Sequence, residues 1–268
     1  MKIKPFKTSD VHSLHLNILL YGHGGVGKTT AIGRFADVMG KGLIISGEGG
    51  LTSISDKDID YIPFFSFDHP VDRQKHPEGH SFKDIMSFVR SDDFRQAGYK
   101  WLAVDSVTEL SRRAFNEAME ENPDPSNTGK PYQIYARKFE PMIGDLRDLP
   151  IHTIVTALAA EEQDDNGQTH FWPMLAQKTK QKKFLGDFDL VCGMITKTET
   201  QKNSEGKTKM SLRRYMICSP VNGWHGKNRD PHGRIRHVEE GGDVPALVKR
   251  MQMTKEEFEN TKKQGVAA

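Results

Sequence analysis

Residues 16–40 read LNILLYGHGGVGKTTAIGRFADVMG: an apolar run, a glycine-rich turn and an amphipathic run, in that order. LNILLYG (16–22) has the length and composition of a fully buried strand, and KTTAIGRFADVMG (28–40) that of a helix closed by Gly40. Between them Gly22, four residues, then Gly27, Lys28 and Thr29 fit the spacing GxxxxGK(S/T). Glycines at these places let backbone N–H groups converge on one point, and the helix that follows adds the positive end of its dipole. That geometry suits a phosphate. Gly22, His23, Gly24, Gly25, Val26, Gly27, Lys28, Thr29 and Thr30 are therefore the candidate cradle for ATP. The Lys28 ammonium would reach the β- and γ-phosphates, and the Thr29 hydroxyl would ligate Mg²⁺.

The rest of the chain alternates in the same way. GLIISG (42–47), YIPFFSF (61–67), WLAVDS (101–106) and IHTIVTALAA (151–160) are strand-like, with Pro63 marking its run as an edge or irregular element. SFKDIMSFVR (81–90), VTELSRRAFNEAMEE (107–121) and YQIYARKFEPMIGDLRDL (132–149) have helical spacing, the last bent near Pro141 and Gly144. This order predicts an α/β fold: a mostly parallel twisted sheet with helices on both faces. FDLVCGMITKTE (188–199) and KMSLRRYMICSP (209–220), joined by a polar turn, predict an antiparallel hairpin at one edge of that sheet. Residues from Glu161 to about Lys183 read as a long polar stretch, and Thr254 caps a short polar helix after it. Residues 1–240 are expected to form the nucleotide-binding domain and 241–268 a helical tail.

Composition narrows the function classes. The 268 residues carry a net charge of only +2, so any contact with nucleic acid has to come from local clusters. No apolar run reaches the roughly 20 residues of a membrane helix, and no secretory leader is expected in MKIKPFKTSDVHS. Two cysteines, Cys192 and Cys218, read as buried thiols of a reducing, cytoplasmic protein.

Asp105 ends a buried strand, where a Walker B carboxylate holds the metal in a position expected beside the P-loop strand. It is equally placed to cap the next helix. Hydrolysis also needs a group to orient or deprotonate water. Glu48, flanked by glycines at the end of the second strand, competes with Glu109 for that role. Many AAA-type ATPases place this glutamate directly after the Walker B aspartate, but that position here is Ser106.

YGHGGVGKTT, LIISGEGG, WLAVDSVTEL and IHTIVTALAAEEQ, in that order, resemble the RecA-type ATPase core over about residues 15 to 235. The resemblance is to the compact RecA-core ATPases of phages, some of which act in recombination and single-strand annealing. It implies that Glu48 is the catalytic glutamate and that Thr156, or else Gln163, senses the γ-phosphate. Lys227 and Arg229 in WHGKNRDPHG (224–233) resemble the KxR element of hexameric RecA-like ATPases and helicases. That implies a homo-oligomeric ring or filament in which the pair reaches the neighbour's phosphate in trans. A solvated basic turn is the alternative.

The resemblance also implies loops that carry single-stranded DNA. Lys178, Lys180, Lys182 and Lys183, with Phe171 and Trp172 upstream, supply cations and stacking faces, although Glu161, Glu162, Asp164 and Asp165 oppose them. The readings left open are a DNA recombination, annealing or replication ATPase, a helicase-like motor or assembly factor acting on protein partners, and a non-catalytic nucleotide-binding scaffold. A GTP switch is disfavoured, because Asp105 is followed by Ser-Val-Thr rather than DxxG and ITKTE only approximates a base-reading TKxD.

Overall fold

Strand β1 (Asn17–Gly22) is hydrogen-bonded on both sides, so its backbone is satisfied before any side chain is counted. Ile18, Leu19, Leu20 and Tyr21 are fully buried and alternate between the two faces. Each such apolar side chain contributes roughly 1.5–3 kcal/mol, so the strand is a firm base for the loop at its end. The structure is a computed structural model describing residues 15–124, 126–202 and 208–263.

The elements follow as α1 (Lys28–Met39), β2 (Gly42–Ser46), β3 (Asp60–Ser66), β4 (His80–Ser81), α2 (Phe82–Val89), α3 (Asp92–Ala97), β5 (Trp101–Asp105) and α4 (Val107–Glu121). After them come α5 (Lys130–Arg147), β6 (His152–Gln163), β7 (Thr169–Pro173), α6 (Lys178–Phe184), β8 (Leu190–Lys202) and β9 (Thr208–Ile217). Short strands β10 (Pro220–Val221), β11 (Trp224–His225), β12 (Lys227–Asn228) and β13 (Val238–Glu240) precede α7 (Val244–Gln252) and α8 (Lys255–Lys263).

The main sheet has the order β13-β9-β8-β1-β6-β5-β2-β3-β4 and is parallel from β8 to β4. The expected α/β architecture is therefore present. Helices α1 and α7 cover one face through Ile32, Phe35, Leu247, Val248 and Met251. Helices α2, α4 and α5 cover the other through Phe82, Met86, Leu110, Tyr135 and Phe139. Glu117, buried on α4, accepts backbone N–H groups from Phe67 at 2.6 Å, Asp68 at 2.8 Å and His69 at 3.2 Å, which pins the chain leaving β3.

Two features differ from the sequence expectation, and one agrees with it. β5 is not beside β1, because β6 runs between them. The hairpin of β8 and β9 is antiparallel and stands at one edge of the sheet as expected, with β8 paired to β1 and β9 to the short strand β13. The polar stretch after Ala160 is built rather than open. β6 continues to Gln163, Asp164 closes a turn by accepting the N–H groups of Asn166 and Gln168, and β7 returns antiparallel. Cys192 and Cys218 are free, buried thiols, with their sulfurs 3.5 Å apart. No helix among the described residues is long and apolar enough to cross a membrane.

Candidate functional site

The turn between β1 and α1 needs its glycines for two separate reasons. A Cβ on Gly22 would lie 2.5 Å from the Met194 carbonyl oxygen, so the two backbones touch there. Gly25 and Gly27 have φ of +77° and +97°, which L side chains adopt at a cost. The chain can then curl, and Lys28 Nζ donates back across the loop to the carbonyls of Gly22 at 2.9 Å and His23 at 3.0 Å. Burial pulls the Lys28 ammonium below its ordinary range, against the opposing pull of the Asp105 and Glu48 carboxylates. An anionic phosphate group is the partner that would relieve this.

Three strands deliver the acidic side of the site. Thr29, in the first turn of α1, donates its hydroxyl to Asp105 Oδ2 at 2.8 Å. Thr156 on β6 is fully buried and donates to the other oxygen, Asp105 Oδ1. The intervening strand thus explains how β5 serves the P-loop from two strands away: Thr156 fills the gap. Ser106 follows Asp105 through a cis peptide and donates its hydroxyl to Glu48 Oε1. Glu48 is itself placed by Ser46, whose hydroxyl donates to the Glu48 carbonyl at 2.8 Å. A carboxylate therefore stands beside Asp105 even though serine follows it in the chain. Thr29 and Asp105 are hard oxygen donors of the kind Mg²⁺ selects, so the residues present fit that ion.

Glu109 is occupied elsewhere. Its carboxylate pairs with Arg112 at 2.6 Å and Arg113 at 2.7 Å. Burial works to raise its pKa, but the two guanidiniums hold it below the ordinary carboxylate value. Gln163 lies at the end of β6, exposed and seven positions past Thr156, paired with Thr169 in the β6–β7 ribbon.

Lys227 and Arg229 are not brought to the P-loop of their own chain. Lys227 Nζ donates to the carbonyls of Leu185 at 3.0 Å and Gly186 at 3.1 Å. Arg229 pairs with Asp189 at 2.9 Å and donates to Gly186 at 3.0 Å. Asp189 in turn binds the N–H and carbonyl of Asn17. Arg229 therefore braces, through Asp189, the amino end of β1, roughly 15 Å along the strand from the glycine turn, while Lys227 holds the Leu185–Gly186 turn.

The four candidate DNA-binding lysines lie on or at the start of α6. Lys180 and Lys183 pair with Glu140 at 2.6 and 3.2 Å, and Lys182 lies over the Trp172 ring at 5.2 Å. Lys178 is exposed. Phe171 stacks on Trp224, and Trp172 on His225, at centroid distances of 4.4 and 3.5 Å. Those aromatic faces are therefore used inside the chain. His23 of the glycine turn meets the edge of this stack, at 5.9 Å from both Phe171 and Trp224, and lies 3.7 Å from Glu161.

One residue of the site carries no local sequence signal. Arg214 on β9 donates through Nε to the Val26 carbonyl at 3.1 Å, against the glycine turn.

No curated protein matches the sequence. Among solved structures the chain is similar to a prototypical ATPase from the type III secretion system of pathogenic bacteria, with 17% identity and a TM-score of 0.42 over 67% of this chain and 51% of that one. It is also similar to the Legionella pneumophila ATPase DotB, with 9% identity and a TM-score of 0.29 over 77% of this chain and 46% of that one. The chain spans about half the length of each. The family model of the AAA domain matches residues 15–230, which include the glycine turn, Asp105, Thr156 and Glu48. A P-loop built on a buried parallel strand, with its threonine bound to a distant aspartate, agrees with that match, and the chain belongs to the AAA domain family of P-loop ATPases.

Proposed function

We propose that this P-loop ATPase is Mg²⁺-dependent and RecA-like, and that it acts on DNA in recombination, single-strand annealing or replication. The observation that carries the catalytic part is the 2.8 Å contact between Thr29 and Asp105, with Glu48 tied alongside through Ser106. Lys28 takes the β- and γ-phosphates. Thr29 and Asp105 hold Mg²⁺, which neutralises phosphate charge when bound. Glu48 orients the attacking water and accepts its proton, and Thr156, locked to Asp105, senses the γ-phosphate end. The test is Mg²⁺-dependent ATP hydrolysis by the purified chain and by Lys28→Ala. Loss of turnover in the variant is expected, and near-wild-type turnover overturns the assignment.

The DNA part rests on the basic helix α6. Single-stranded DNA is expected to raise the ATPase rate, with the effect fading as salt rises. The second reading is a helicase-like motor or assembly factor acting on protein partners. It is favoured by the internal stacking of Phe171 and Trp172 and by the pairing of Lys180 and Lys183 with Glu140. An ATPase rate indifferent to DNA at low salt selects it. Either reading includes a ring or filament in which Lys227 and Arg229 leave their in-chain partners to act on a neighbour's phosphate. Arg229→Ala mixed with Glu48→Gln then recovers partial turnover. No recovery in proven mixed oligomers removes the trans role.

A further inference from the structure

Arg213 and Arg214 are neighbours on β9 with opposite surroundings. Arg213 pairs with Glu199 at 2.8 Å and also binds Glu240. Arg214 points to the other face of the strand, where it meets the glycine turn. Its Nε donates to the Val26 carbonyl at 3.1 Å, and a Cβ on Gly27 would lie 2.8 Å from that Nε and 3.2 Å from Cζ. Its backbone is fixed as well, with the Arg214 carbonyl accepting from Gly241 N–H at 2.8 Å. Nη1 and Nη2 make no hydrogen bond or ion pair among the described residues. A guanidinium thus rests against a loop that already gathers backbone N–H groups, the start of a helix and the Lys28 ammonium. Such a concentration of positive charge suits an anion that arrives from solvent.

The sheet order says which part of the anion. Asp105 and Glu48 come from β5 and β2, on one side of β1, with β6 between. Arg214 comes from β9, on the other side of β1, with β8 between. The metal ligands and the candidate base therefore define the γ-phosphate end, and Arg214 flanks the opposite end, from which the nucleoside must leave. We propose that Arg214 is a nucleotide-binding residue whose free Nη atoms take the α-phosphate of the nucleotide bound to the same chain. This rests on the P-loop reading above. It adds a contact made by ATP and ADP alike, so Arg214 sets affinity rather than the rate of bond breaking.

The experiment is calorimetric titration of wild type, Arg214→Ala and Arg214→Lys with Mg-ATP and Mg-ADP, together with steady-state ATPase kinetics. Arg214 is half-buried, and circular dichroism with thermal melting checks that both variants are folded. Arg214→Ala is expected to weaken ATP and ADP by the same factor, about 10- to 100-fold, which is the worth of a charged hydrogen-bonding pair. The kcat at saturating ATP should stay within about threefold, and Arg214→Lys, which keeps the charge and loses the planar fork, should fall between. Loss for ATP with ADP unchanged places Arg214 on the γ-phosphate and overturns the proposal. Lost kcat with unchanged affinity also overturns it, as does no change in either ligand. A wild-type chain that binds neither nucleotide overturns the P-loop reading itself, a result distinguishable from an effect of Arg214 alone.

Discussion

The Thr29 hydroxyl and the Asp105 carboxylate, 76 positions apart in the chain, meet at 2.8 Å. The second Asp105 oxygen is held by Thr156, so the carboxylate has no freedom to turn away. Asp105→Asn keeps the shape and removes the charge. ATP turnover is expected to fall at least about 100-fold, the scale of a metal's contribution to phosphoryl transfer, with the Mg²⁺ requirement shifted upward. A magnesium titration of the ATPase rate measures this, and an unchanged curve counts against Asp105 as a metal ligand.

Glu48 and Glu109 separate by what they touch. Glu48→Gln should bind ATP and lose turnover by about 10²–10⁴-fold, as expected on removing a general base. Glu109→Gln should leave turnover near wild type and cost about 1 kcal/mol of stability, because Arg112 and Arg113 lose their shared carboxylate. Single-turnover kinetics and thermal melts on both variants decide it, and the reverse pattern exchanges the two assignments.

Glu117 is a structural acid. Replacing it by alanine strands three backbone N–H groups behind β3, and stability should fall by about 3 kcal/mol. Denaturant unfolding reads this directly, and a loss below about 1 kcal/mol would mean that water takes its place.

The acid limb of the stability curve has a named contributor. His152 is pushed down from 6.5 to about 4, first by burial and then by His15, and its Nδ1 accepts the Leu16 N–H at 3.1 Å. The unfolded chain therefore binds a proton between those two values that the folded chain refuses. Stability rises with pH across that window and is lost as pH falls from 6.5 towards about 4. His152→Gln offers an acceptor that does not titrate. Its melting temperature should drop less between pH 7 and pH 5 than that of the wild type, with the remaining slope owed to other groups such as His225.

The P-loop was readable because all its signals are local: a buried strand, left-handed glycines and a helix start within 25 residues. The placement of Asp105 and Glu48 at strand ends was readable because strand ends show in composition. The neighbour of β1 was not, since sheet order is decided by packing between distant segments, and β6 took the place expected for β5. The β6–β7 ribbon escaped because a two-stranded ribbon beyond the sheet needs no continuous apolar face, so EEQDDNGQTH lacks the period of a core strand. Helix α7 did carry a signal, with Val244, Leu247, Val248 and Met251 at helical spacing behind the Asp243 cap. Nothing near Arg214 marks it, because its partner is a carbonyl 188 residues earlier.

β6 is one uninterrupted strand from His152 to Gln163. Its inner half holds Thr156 against Asp105, and its outer half stands in solvent beside His23. One extended strand, hydrogen-bonded to its neighbours, therefore ties the buried Thr156–Asp105 contact and the solvent-facing ribbon into a single element.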